Sequence, residues 1–154
     1  MTLSVPTSPL QQAFIEAEKA AERGEIPVGA VIYDPAGKTI VAAAGNRVIE
    51  TSDPTAHAEI LAIRAACMVM GAPRIPDLEI FVTLEPCAMC AAAIAQARLK
   101  KLTFAAYDPK GGGVEHGPRF FTQPTCHHHP EIIGGIEERR AAELLRAFFM
   151  DKRE

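Results

Sequence analysis

Two stretches of this 154-residue chain have residue types and spacing that could do chemistry: His57-Ala58-Glu59 and Pro86-Cys87-Ala88-Met89-Cys90. One imidazole and two thiolates give a zinc ion three protein ligands. They leave a fourth position open, as catalytic zinc sites do and structural ones do not. Glu59 stands two residues from His57, close enough to handle the protons of a water at that open position without binding the metal. C-x-x-C alone also fits redox and structural zinc sites, and H-x-E alone says almost nothing. Together, in this order, with proline ahead of the first cysteine, they favour a catalytic centre.

Such ligands need elements that aim them. Cys87 and Cys90 are three apart at a helix start, so both thiols share one side of the first turn. The free N–H groups and the dipole of that turn favour thiolate. His57 and Glu59 also fall near a helix start. In mid-helix, residues two apart point about 200° away from each other. At a helix end both can reach a centre lying beyond the first turn. The expectation is two helix N-termini facing one metal, which would bring a bound water to a pKa of about 7.

The surrounding pattern supplies those elements. Ser8-Pro9-Leu10-Gln11 reads as a helix start, with Ser8 as N-cap and Gln11 completing a capping box; Gly24 stops the helix. Val28–Tyr33 and Thr39–Ala44 read as a hairpin around Asp34-Pro35-Ala36-Gly37. A helix is expected from about Thr55 to Met70, closed by Gly71, then a strand over Leu78–Leu84. Pro86 opens a second helix through about Ala97, and Leu102–Tyr107 is another strand. Gly111 begins a long irregular stretch to about Pro130, with one helical turn near Arg119–Phe121. Ile132-Ile133 suggests a last strand and Glu137–Met150 a last amphipathic helix. Alternating strands and helices imply a layered α/β domain, with helices on both faces of a mixed sheet.

Length argues for a single domain over residues 1–154, with residues 1–7 a loose tail. Hydrophobic content of 48% and charged content of 23% are ordinary for a globular protein. No apolar run approaches the ~18 residues of a membrane helix, and Met1–Pro9 lacks the pattern of a secretory signal. The expected compartment is cytoplasmic, where C-x-x-C with an upstream histidine favours metal over disulfide. Cys67, in an apolar helical stretch, reads as a buried thiol. A net charge of −3 argues against an extended nucleic-acid surface and leaves room for a small local footprint. The basic clusters Arg98-Leu99-Lys100-Lys101 and Arg139-Arg140 read as solvated faces. Cys126-His127-His128-His129 lies in a loop with no second cysteine near it. It reads as a loop near a pocket mouth, with one histidine touching substrate or lining the entrance, rather than as a second metal site.

The H-x-E…P-C-x-x-C combination is the signature of zinc nucleobase deaminases. Ile26–Val31, Gly45-Asn46-Arg47, Asp53–Ile60 and Val82–Cys90 closely resemble the bacterial tRNA-specific adenosine deaminase family. The resemblance weakens through Tyr107–Gly111 and Leu144–Phe149 and covers roughly residues 10–150. It implies a three-layer α/β/α, cytidine-deaminase-like fold whose five-stranded sheet ends in two parallel strands. It implies a homodimer, with one Zn2+ per subunit held by His57, Cys87 and Cys90, and Glu59 as proton shuttle. It implies conversion of adenosine to inosine at wobble position 34 of an arginine tRNA, with the tRNA anticodon loop rather than DNA as partner. Asn46 would hydrogen-bond the flipped base and Asp108 would lie beside the loop backbone. For each a turn role competes: Asn46 follows Gly45, and Asp108 precedes Pro109. Gly112–Pro130 and the weakly basic end Met150–Glu154 depart from the family pattern, and both bear on RNA contacts. A free-base or nucleoside deaminase, guanine before cytosine, would share the chemistry and need no RNA groove. A zinc-stabilised interaction module would not need Glu59.

Overall fold

Ser8 caps the first helix of the part of the chain described here, residues 7–153 of a computed structural model. All but one residue of the expected tail therefore lies outside the described residues. In α1 (Pro9–Glu22) the Ser8 hydroxyl accepts the Gln11 N–H at 3.2 Å. The expected capping box is not completed. The Gln11 side-chain oxygen instead accepts from Arg140 at 2.8 Å, tying the first helix to the last.

The hairpin is β1 (Gly29–Asp34) and β2 (Thr39–Gly45), turned by Asp34, whose carboxylate accepts the Ala36 N–H at 3.1 Å. A four-residue helix, α2 (Val48–Thr51), follows. Then come α3 (Ala58–Met70), β3 (Glu79–Leu84), α4 (Ala88–Ala97) and β4 (Lys101–Ala106). A 3-10 turn at Phe120–Thr122, β5 (Glu131–Ile133) and α5 (Glu138–Arg153) complete the chain. The sheet order is β2-β1-β3-β4-β5. β1 is antiparallel to β2 and β3, while β3–β4 and β4–β5 are parallel, the last pair as the resemblance implied.

Helices cover both faces of the sheet. On one face Ala62, Ile63 and Ala66 of α3 join Ala91, Ile94 and Ala95 of α4 over Ile32, Ile80, Val82, Leu102 and Phe104. On the other, Phe14 of α1 and Ala141 of α5 meet Ala105 and Ala106. β4 is accordingly buried along nearly its whole length, as a parallel strand covered on both sides must be. This is the three-layer α/β/α arrangement expected.

Both site helices start later than their sequence suggested. α3 begins at Ala58 rather than Thr55, because the Asp53 carboxylate accepts the Thr55 N–H at 2.8 Å and folds residues 53–57 into turns. α4 begins at Ala88 rather than Pro86, with Cys87 still extended. Cys67 is half-buried rather than enclosed. Among the described residues no helix is long and apolar enough to cross a membrane.

α1 lies unusually close to the hairpin. A Cβ on Gly29 would overlap the Ala13 carbonyl oxygen and stand 2.7 Å from the Ala17 nitrogen. Neither backbone atom can swing aside. Gly29→Ala is therefore expected to destabilise the fold by about 3 kcal/mol or more in urea unfolding. A loss below about 0.5 kcal/mol, the range of neutral surface changes, would mean that α1 lifts freely from the sheet.

Candidate active site

His57 and Cys87 each occupy the N-cap position of a helix, with extended backbone: φ −73°, ψ 150° for His57 and φ −72°, ψ 175° for Cys87. Neither side chain caps its own helix. Each is free to face the other. Cys90 sits one turn along, at the third helical residue of α4, and is buried. The His57 Nδ1 lies 3.7 Å from the Cys87 Sγ and 3.5 Å from the Cys90 Sγ. All three donor atoms fall within 4.8 Å of one another, the one such group of three among the described residues. A tetrahedral ion with zinc's usual bond lengths to sulfur and nitrogen would hold those atoms about 3.5 Å apart. The spacing fits a zinc ion with a fourth position left over.

Electrostatics point the same way. Hydrogen bonding from Cys90 pulls the Cys87 thiol down to about 4, with the His57 ring adding to the effect against the pull of burial. Cys90 is pushed strongly up, first by its bond to Cys87 and then by burial. Two thiolates this close cannot both ionise unaided, and a cation between them removes that conflict. The hydrogen bond to Cys87 also raises His57. Glu59 is 3% exposed, and burial raises its carboxyl above the usual value.

These groups open onto a cavity of ≈ 360 Å³ whose walls include Val28, Asn46, His57, Glu59, Cys87 and Asp108. Asn46 is held at both ends. Its Nδ2 donates to the Ile26 carbonyl at 3.1 Å, and its Oδ1 accepts the Ala58 N–H at 2.8 Å. The second bond supplies the cap that His57 does not give α3. Asp108 turns the chain as well as lining the cavity: its carboxylate accepts the Gly111 N–H at 3.0 Å. Five of the six expected site residues thus line one cavity; the sixth, Cys90, is fully buried beside His57 and does not reach its wall.

It does not bring the histidine run there. His128 Nε2 bonds the Leu99 carbonyl at 2.6 Å, and the Cys126 thiol donates to the His128 carbonyl at 3.1 Å. None of His127, His128 and His129 lines the cavity. The expected place at the pocket mouth is not where this segment sits. It packs where α4 passes into β4.

Two cavity-lining carboxylates escaped sequence reasoning. Glu25 accepts the N–H groups of Ile49 and Glu50 at 3.1 and 2.9 Å. Glu85 accepts five bonds from residues 108–116. Burial alone would raise the Glu85 carboxyl, and those donors outweigh it, so it falls below its ordinary value. The readable clue was an acid wedged between an apolar strand and Pro86, with three glycines at 111–113 to receive it.

Comparison with known proteins places these observations. Residues 7–151 match the family described as MafB19-like deaminase. A tRNA-specific adenosine deaminase of Agrobacterium fabrum is 51% identical over 144 residues, 94% of this chain and 93% of that protein. A structure solved in work on A-to-I editing by tRNA:A34 deaminases at the wobble position superposes with a TM-score of 0.86 at 50% identity, covering 90% of this chain and 99% of that one. A guanine deaminase from Nitrosomonas europaea, 20% identical, shares the fold with a TM-score of 0.80 over 96% of this chain and 86% of that one. With an identity of one half over nearly its full length, the chain belongs to the tRNA-specific adenosine deaminase family.

Proposed function

We propose that this protein hydrolytically deaminates adenosine to inosine in tRNA, at wobble position 34 of an arginine tRNA, with one zinc ion per chain. The convergence of His57, Cys87 and Cys90 at two facing helix starts, with buried Glu59 on the same cavity, carries this reading. The names of its half-identical relatives support tRNA as substrate. The resemblance supports a homodimer, and thiolate ligands suit a reducing compartment such as the bacterial cytoplasm.

His57, Cys87 and Cys90 hold the metal. A zinc ion held there would lower the pKa of a water at its open position to about 7, and so would supply a nucleophile at neutral pH. The Glu59 carboxylate would take a proton from the attacking water. It delivers this proton to the ring nitrogen beside the amino-bearing carbon, then carries the remaining proton of the added hydroxyl to the departing amine, leaving the keto oxygen. A C–O bond forms, the C–N bond breaks, and ammonia leaves. Asn46, whose oxygen and one N–H are already committed, keeps a second N–H for an acceptor on the base. Asp108 lines the rim, where the nucleotides flanking a flipped base must pass.

A substrate panel read by mass spectrometry tests the assignment. It holds an arginine-tRNA anticodon stem-loop, the same loop as DNA, and free adenine, adenosine, guanine and cytosine. Inosine is expected in the RNA loop alone, with KM rising steeply as salt is added, since phosphate contacts release counterions. Turnover of free guanine with untouched RNA would replace the substrate and keep the chemistry. Glu59→Gln is expected to bind zinc normally and lose at least about a thousandfold in kcat; an active variant would sink the proton-shuttle role. Metal-free protein titrated with zinc should take one ion per chain. Cys90→Ala should abolish that uptake and His128→Ala should leave it unchanged; a lost equivalent in the His128 variant would place a ligand in the wrong loop.

A further inference from the structure

Glu85 is 2% exposed, lines the cavity, and has no part in the proton chemistry above. Its carboxylate is nevertheless crowded with donors. One oxygen accepts the Asp108 N–H at 3.0 Å and the His116 ring Nδ1–H at 2.8 Å. The other accepts the N–H groups of Val114, Glu115 and His116 at 3.1, 2.9 and 3.2 Å. An ionised carboxylate offers acceptor sites only, about four in number, so this one is fully used. Two glycines make the fit possible. A Cβ on Gly112 would overlap the Glu85 carboxylate and stand 2.6 Å from the Asp108 carbonyl oxygen. A Cβ on Gly113 would stand 2.7 Å from the Ala88 Cα. The Gly113 N–H also donates to the Pro86 carbonyl at 2.8 Å, and the Glu85 N–H to the Ala106 carbonyl at 2.8 Å.

We propose that Glu85 is a positioning residue: it locks the segment from Asp108 to His116 onto the start of the Cys87–Cys90 helix, and so fixes Asp108 at the rim for substrate. This inference rests, for its substrate, on the RNA reading above. Glu85 acts through the loop, not on the reacting atoms. Its loss should therefore weaken substrate engagement and spare the chemical step. A merely structural acid would instead show its loss in stability and metal content.

The test replaces Glu85 by Gln, which keeps the shape, leaves one acceptor oxygen, and turns an NH2 toward N–H donors. Hydrogen exchange should show protection lost at the amides of Asp108, Val114, Glu115 and His116. KM for the anticodon stem-loop should rise about tenfold or more while kcat stays within about threefold, the signature of lost binding shared by ground and transition states. Zinc should stay at one per chain. His116→Ala removes one donor and should raise KM about twofold to threefold, less than additively in the double variant, as expected for two groups in one network. Should Glu85→Gln fail to fold, Gly112→Ala strains the same linkage from the loop side and must give the same KM pattern. Retained protection in Glu85→Gln, or a fall in kcat with KM unchanged, would overturn the proposal. Wild-type protein that leaves the RNA untouched counts against the substrate alone, because exchange still decides the linkage.

Discussion

α3 and α4 each begin one residue after a side chain of the His57–Cys87–Cys90 cluster, and in each the cap position belongs to that side chain. A capping side chain at a helix start stabilises by about 1 kcal/mol. Neither His57 nor Cys87 contributes this, because each points across the gap instead. The orphan N–H of Ala58 is satisfied from outside, by the Asn46 side chain twelve residues earlier. The arrangement trades local helix stability for two helix starts whose imidazole and thiol face each other. It makes Asn46 serve the backbone of α3 and the cavity together.

The sheet brings those helix starts together. β3 and β4 run parallel with Leu84 paired to Ala106, so their carboxyl ends finish level. Glu85 and Tyr107–Asp108 leave the sheet side by side as a result. β1 runs the other way beside β3, which sets its beginning, near Val28 and Gly29, against the same end. Ligand crevices in open α/β sheets form beyond the carboxyl ends of strands, and this cavity follows that rule. The tight seat of α1 on Gly29 and Gly45 holds the hairpin side of the crevice in place.

What the sequence made legible is what depends on neighbours along the chain. Ser8 and Gln11 are three apart, as are Cys87 and Cys90, and the apolar periodicity of α1 and of the strands is local. The late start of α3 was not legible in the same way: the Asp53 turn is a local cue that was outweighed by helix period, and the cap comes from Asn46. Gln11 was assigned to a capping box, yet its partner Arg140 is 129 positions away. α2 is too short to show a period and has no buried residue to mark it. Glu85 looked like part of a motif because its partners lie 23 to 31 residues further on. The histidine run was drawn to the pocket by composition alone. Its docking on Leu99 is a tertiary contact that composition cannot encode.

Glu25 holds α2 through the N–H groups of Ile49 and Glu50, and through nothing specific to those side chains. A bond to a backbone N–H is indifferent to which residue carries it, proline excepted. Ile49 is 68% exposed and Ile26 is 44% exposed at this edge of the cavity, so neither is fixed by packing. The lip is therefore anchored in place yet open in sequence. Side chains there can be exchanged at small energetic cost to the fold, so the reach of the entrance can change while the His57–Cys87–Cys90 cluster beneath it stays as it is.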